Sequence, residues 1–331
     1  MHGLVHPTTR RVIVTTLLGL SLAAPAVPVL AQDGFPSRTI TLVVPFAAGS
    51  GTDIGARLLA KDMGAHLGTT VVVDNKPGAN GAIGAQAAAR ARPDGYTLMI
   101  GNATSNAANY AFFAGRLGYT PASFEVVGGL GASPISLYVA ANAPWRTLEE
   151  LLADIRRKPA RWACGSGNAT TQVACEVFRR KAALDVVTVP YKGNPQSLAD
   201  VVGGQIAYAF SDAAAAQALV ESRRVRALAV ASPRRSPAMP DVPTFVELGH
   251  AGFEIGGWSA VFVPAGTPAA IADKLNAAIR KANDAPEAVR LRERTGGVAM
   301  NFSLAEARQF VADEITRWAQ FVELSGVKPE Q

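Results

Sequence analysis

Ser50 and Ser166 each sit beside glycines after an apolar run, the setting in which a hydrolase presents a nucleophilic hydroxyl. A nucleophile elbow needs glycine two residues before and two after the serine, because only glycine fits that strained strand-to-helix turn. Ala48 precedes Ser50 and Cys164 precedes Ser166, so neither qualifies. Gly49 and Gly51 supply two positions of the dinucleotide pattern, but Ile54 occupies the last, and no Gly-Lys-Ser or Gly-Lys-Thr closes a phosphate loop. Asp53 and Asp212 are the acids inside small-residue turns, and Asp53 is accounted for as a helix cap. Beyond residue 31 the histidines are His66 and His250, neither near the cysteines nor in a ligand spacing, so no metal and no cofactor is expected. Cys164 and Cys175 can pair in an oxidising compartment. Cys164 ends an expected strand and Cys175 lies a turn into the next helix, a placement that leaves pairing open. No catalytic constellation emerges.

What these turns share is main chain. Ile40 to Phe46 is a largely apolar, β-branched run, as in a parallel strand covered on both faces; it ends at the small-residue turn Ala47 to Gly51. A helix follows, with Thr52 or Asp53 as its cap and Ile54, Leu58 and Leu59 as its apolar face. A strand that feeds a glycine turn and a helix start aims free N–H groups and the positive end of a helix dipole at one spot, which suits an anion.

The arrangement recurs. Four further strand ends open into small or hydroxylic turns ahead of helices: Gly101 to Asn106, Gly165 to Thr171, Tyr191 to Pro195, and Ser211-Asp212. Alternating strands and helices of this kind predict α/β lobes with wound, largely parallel sheets, whose ligands bind outside the carboxyl ends of the strands. The candidate ligand-binding residues are therefore Phe46, Ala47, Ala48, Gly49, Gly51, Thr52 and Asp53 from the first turn, and Asn102, Thr104 and Ser105 from the second. Gly165, Ser166, Gly167, Thr170, Thr171 and Gln172 come from the third, Tyr191, Lys192 and Gly193 from the fourth, and Ser211 and Asp212 from the last. Lys192 reads equally well as a solvated loop cation.

The elements that must carry these turns divide between two lobes. Arg10 and Arg11 ahead of an uncharged apolar run, then Val29-Leu30-Ala31, form an export signal with cleavage expected after Ala31. The run holds Gly19 and is followed by Pro25 and Pro28, short for a membrane span of roughly 20 residues. Removing the leader lowers the formal net charge from +6 to +4. The basic groups are scattered and not interleaved with aromatics, which argues against nucleic acid. A remaining chain of about 300 residues suits two lobes. The long β-rich stretch Phe124 to Ala141 and the segment Gly256 to Pro264 are the expected crossings. They give a discontinuous lobe 32–132 with 257–331 and a second lobe 133–256, the C-terminal helices packing back on the first.

Several stretches resemble, in order, the periplasmic solute receptors of tripartite tricarboxylate transporters, also called Bug receptors. They are Val44-Pro45-Phe46-Ala47-Ala48-Gly49, Val73-Asp74-Asn75-Lys76-Pro77-Gly78-Ala79-Asn80-Gly81, Asp94-Gly95-Tyr96-Thr97-Leu98, Val189-Pro190-Tyr191-Lys192-Gly193, Pro240-Asp241-Val242-Pro243-Thr244 and Pro264-Ala265-Gly266-Thr267-Pro268. The resemblance implies a periplasmic-binding-protein-like Venus flytrap: two α/β lobes on a two-crossing hinge. Such a monomer captures a small carboxylate, largely through main-chain groups, for the membrane subunits of its transporter. Gln172 stands where that family usually has His. A periplasmic sensor, or an enzyme acting on a small carboxylate, is the competing expectation.

Overall fold

The computed structural model describes residues 2–3, 34–113, 115–158 and 162–327. The expected cleavage site after Ala31 lies outside the described residues. By its contacts the chain divides into Met1–Phe35 and Pro36–Gln331, and all elements below belong to the second unit.

Strand β1 (Ile40–Val44) lies parallel to β2 (Val71–Asn75) on one side and β3 (Thr97–Asn102) on the other. Leu42, Val43 and Val44 are all buried, so both faces of β1 are covered; helices α1 (Gly51–Leu67) and α2 (Ala82–Ala89) pack against it. β3 leads into a π-turn at Thr104–Ala108 and a short α3 (Asn109–Phe112), and the Asn102 side chain accepts from the Thr104 and Ser105 N–H groups at 2.9 and 3.1 Å.

Strand β4 (Phe124–Ala140) is continuous over 17 residues. Phe124 to Pro134 pair antiparallel with the last long strand, β9 (Gly256–Pro264), and Ile135 to Ala140 pair with two strands of the other half of the sheet. That half contains α4 (Leu148–Arg157), β5 (Ala163–Ser166), α5 (Ala169–Lys181), β6 (Val187–Pro190), α6 (Asn194–Val202), β7 (Tyr208–Asp212), α7 (Ala213–Glu221) and β8 (Val225–Val230). β7, β5 and β6 run parallel, with β4 between β7 and β8. Thr147 and Glu150 begin α4 with a capping box, Glu150 N–H donating to Thr147 Oγ1 at 3.2 Å. Phe178, Tyr208, Phe210, Phe245 and Phe253 stack edge-on as the core of this half.

After β9 come α8 (Ala269–Asn283), α9 (Pro286–Thr295), β10 (Val298–Ala299) and α10 (Leu304–Ser325). The expected packing of the C-terminal helices on the first half is seen in α8 against α1 and in α10 against the π-turn and α3, and α10 packs on α5 as well, so that it touches both halves. Its Trp318 is 1% exposed and donates to the buried Glu314 carboxylate at 3.1 Å, a polar bond that lets the indole sit inside.

Cys164 on β5 and Cys175 on α5 form a disulfide with Cα atoms 6.1 Å apart, which settles the pairing that their sequence spacing left open. The bond ties the turn before α5 to the body of that helix. Replacing both by alanine should lower the free energy of unfolding by about 2–4 kcal/mol. A urea titration reads this, and an unchanged midpoint would show that the bridge constrains nothing.

Candidate functional site

The loop into α1 is built from its own side chains. Ser50, rather than Thr52 or Asp53, is the N-cap: its Oγ accepts from the Asp53 N–H at 3.2 Å. Both Ser and Asp are good caps, and here Ser50 takes the role because the Asp53 carboxylate is drawn into other bonds. It accepts from the Gly49 N–H at 2.9 Å, from Asn75 Nδ2 at 2.9 Å and from Arg57 Nε at 3.0 Å, while its residue is 3% exposed. Burial opposes the ionised form, but the Arg57 guanidinium, the Gly49 N–H and the Asn75 amide outweigh it and hold the carboxyl below its ordinary value of 3.8. The Gly49 N–H is thus spent inside the protein and is not offered to a solute. Gly49 itself has φ +80°, a left-handed conformation that a side chain would strain.

Beyond this loop lies a small cleft of about 110 Å³ between the two halves. From the first half it is walled by Gly51 and Thr52 at the start of α1 and by Asn102, Ala103 and Thr104 after β3. Asn102 Nδ2 donates to Thr52 Oγ1 at 3.1 Å, which fixes the two strand ends to each other. From the second half come Asn168, Thr170 and Thr171 at the start of α5, Asn194 at the start of α6, and Asp212 and Ala214 at the start of α7. Gly131, Ser133 and Ile135 of β4 and Gly257, Trp258 and Ser259 of β9 form the floor. The halves touch: Thr170 N–H donates to Thr104 Oγ1 at 3.4 Å.

Four helices of nine residues or more, α1, α5, α6 and α7, begin at this cleft. Asp212 is its only charged lining residue. Its Oδ1 caps α7 through the Ala215 N–H at 2.8 Å and its Oδ2 accepts from Asn194 Nδ2 at 2.9 Å. Across the cleft the carboxylate reaches the start of α1. A Cβ on Gly51 would lie 2.1 Å from Oδ1, so residue 51 is glycine for a steric reason, and it lies outside the positive-φ set.

Of the expected residues, Gly51, Thr52, Asn102, Thr104, Thr170, Thr171 and Asp212 are brought together on this cleft. The others stand behind it or at its rim. Ser105, Ser166 and Ser211 are buried, and Gly165 packs against Ile206 and Ser197. Gly167 abuts the Asn194 main chain, and the Phe46 carbonyl accepts from Asn75. Gln172 is half-buried on α5, away from the lining. Lys192 is exposed, and its neighbour Tyr191 donates to Asp200 at 2.8 Å, burial and that carboxylate pushing its hydroxyl up to about 12. Ala47 and Gly193 meet at the rim, the Ala47 methyl 3.8 Å from where a Gly193 side chain would begin. Gly49 and Asp53 form the support just described, and Ala48 is exposed in the same loop. The reading of the sequence missed Asn168 and Asn194, although each stands directly before or at a helix start, and it missed the floor, which consists of crossing strands and not turns.

Asp53 offers a direct test of the supporting loop. Its folded pKa is depressed, so the ionised form contributes stability above the ordinary carboxyl value and loses it as pH falls through the depressed one. Asp53→Asn should cost about 1–3 kcal/mol at pH 7. The gap from the parent should narrow below pH 4, as measured by urea unfolding across that range; a pH-independent gap would assign the cost to packing alone.

Residues 55–327 match the model of the tripartite tricarboxylate transporter family receptor. The chain is 32% identical over 312 residues to Protein BugT of Bordetella pertussis, covering 93% of this chain and 95% of that one. Among solved structures it is similar to MatC from Rhodopseudomonas palustris with bound malate, at 32% identity and TM-score 0.82, covering 87% of this chain and all of the other. A second R. palustris protein, solved with adipate, matches at 30% identity and TM-score 0.85, covering 89% of this chain and all of its own. The two-lobed α/β architecture is that of the periplasmic binding proteins. By its sequence and its fold, this chain belongs to the tripartite tricarboxylate transporter receptor family, the Bug receptors.

Proposed function

We propose that the protein is a periplasmic receptor that takes a small carboxylate into the cleft and hands it to the membrane subunits of a tripartite tricarboxylate-type transporter. The observation that carries this is the convergence of four helix N-termini on a cleft whose lining holds no cation. Each helix start is worth roughly half a positive charge, so four of them bring about +2 against the single Asp212 carboxylate. The local field still favours an anion, held by N–H groups and by neutral donors such as Asn168, Thr170 and Thr171. Relatives of similar length hold malate and adipate. A volume of about 110 Å³ is far below the roughly 300–1,000 Å³ of drug-sized pockets and suits a solute of that class.

In this proposal the lobes are 32–132 with 257–331, and 133–256, moving as a monomer about β4 and β9 after the leader is removed near Ala31. The protein performs no chemistry on its ligand. Among the described residues no group of acids, histidines and cysteines could hold a metal, and no helix is long and apolar enough to cross a membrane.

Calorimetry with malate, succinate, adipate, benzoate, glutamate and glucose tests the proposal. At least one acid should bind and glucose should not; at 100 times its dissociation constant that acid adds about 2.7 kcal/mol to stability. Binding of glucose alone, or of nothing, would defeat it.

Closure can be tested separately. Gly51→Ala keeps a helix-favouring residue at the start of α1 but drives a methyl into the Asp212 carboxylate, so the variant should fold normally and bind the acid at least tenfold more weakly, about 1.4 kcal/mol. Adding Asp212→Ser, which shortens the opposing group and keeps a capping oxygen for α7, should recover most of the loss. Equal affinity in the parent and Gly51→Ala would show that the halves need not meet here.

A further inference from the structure

The basic residues are scattered in the sequence, but folding gathers six of them at one end of the second half. Arg156, Arg157 and Lys158 finish α4, and Arg179, Arg180 and Lys181 finish α5. The two ends are tied together, since Arg156 donates to the Ala182 carbonyl at 3.3 Å, just past α5. Lys181 donates to the Ala251 carbonyl at 2.9 Å. The end of α10 lies against the same place, where a Cβ on Gly326 would run into the Arg180 guanidinium.

A helix dipole favours cations in the last turn, which explains their sign but not how few acids accompany them. Asp154 pairs with Arg157 and Lys158, and Glu176 pairs with Arg179. Among the described residues no carboxylate pairs with Arg156, Arg180 or Lys181. The segments 154–158 and 176–181 thus hold six cations against two carboxylates, an excess as large as the net charge of +4 carried by the whole chain beyond residue 31. The remainder of that chain is balanced. Arg156, Arg157, Lys158, Arg180 and Lys181 are exposed, and so is Leu324 in the last turn of α10, at 59%.

We propose that this end of the molecule docks reversibly on an anionic phospholipid surface. Basic residues close to a leaflet are drawn by its negative surface potential, and their spread over separate helix ends suits charge distributed in a plane better than a single acidic segment. Leu324 adds one apolar side chain for the headgroup boundary. Helix α5 begins at the cleft and runs about 18 Å to this end, so a docked molecule keeps its cleft clear of the lipid. Salt screens the attraction within about 8 Å at physiological strength, which keeps the contact weak and exchangeable. The inference is independent of which solute the cleft takes.

Co-sedimentation of the exported, leader-free protein with vesicles of phosphatidylcholine, and of an equal mixture of phosphatidylcholine and phosphatidylglycerol, tests it. At low salt the mixed vesicles should hold roughly tenfold more protein, and the excess should vanish at high salt. Arg156→Gln, Arg180→Gln and Lys181→Gln together should bring binding down to the phosphatidylcholine level. Removing three exposed charges elsewhere, with Arg90→Gln, Arg116→Gln and Arg280→Gln, should leave most of it. Melting temperatures check the fold of each; Arg180→Glu alone leaves the Ala182 and Ala251 carbonyl contacts in place and should still weaken binding severalfold. Equal binding to both vesicles, an equal loss in the two triple variants, or undiminished binding by Arg180→Glu overturns the proposal. So does a parent that ignores the lipid and binds polyglutamate, which would assign this end to an acidic protein segment.

Discussion

The Asp212 carboxylate occupies the place where a side chain of residue 51 would begin, and this contact sets how the two halves can meet. A Cβ on Gly51 would require the Asp212 carboxylate, which caps α7, to shift from its place. The contact in turn needs a loop that does not drift. Ser50 caps α1, and the buried Asp53 gathers Gly49, Asn75 and Arg57, so the approach of Gly51 is fixed from behind.

A site built this way differs from one built on lysine or arginine. Side-chain cations are mobile and costly to desolvate, whereas helix N–H groups are already aligned and carry no side-chain entropy. The asparagines and threonines that line the cleft serve mainly to hold one another: Asn102 joins α1 to the β3 end, and Asn168 accepts from the Thr171 N–H at 3.0 Å. The polar residues are therefore both scaffold and donor set. Under the proposed function, such an arrangement would hold an anionic group by main-chain donors and leave the rest of the solute to the surrounding walls.

Much of this was legible in the residues. The β-branched run from Ile40 marked β1, and the small-residue turns marked the ends of several strands. Where the sequence misled, a competing interaction decided the matter. Asp53 looked like a cap because acids cap helices, but Ser50 is equally able, and Asp53 found a guanidinium and an amide that lie distant in the chain. Gln172 and Lys192 belong to the right turns yet face elsewhere, since a turn fixes where a residue is and not where its side chain points. Helix α9 escaped notice although Pro286 begins it and Gly296, with φ +66°, ends it, because its ten residues are strongly polar and show little apolar face. The placement of α10 across both halves depends on long-range packing that no local pattern contains.

Strand β4 serves both halves as one hydrogen-bonded strand of about 55 Å, and β9 accompanies its first part, Phe124 to Pro134. A two-stranded ribbon twists and flexes out of its own plane with little loss, but shearing it in-plane would stretch the ladder between Gly131–Pro134 and Ser259–Gly256. Helix α10, in contact with both halves, adds a third tether off the ribbon. In the proposed two-lobed reading, these connections favour a hinge rotation over sliding of one half past the other.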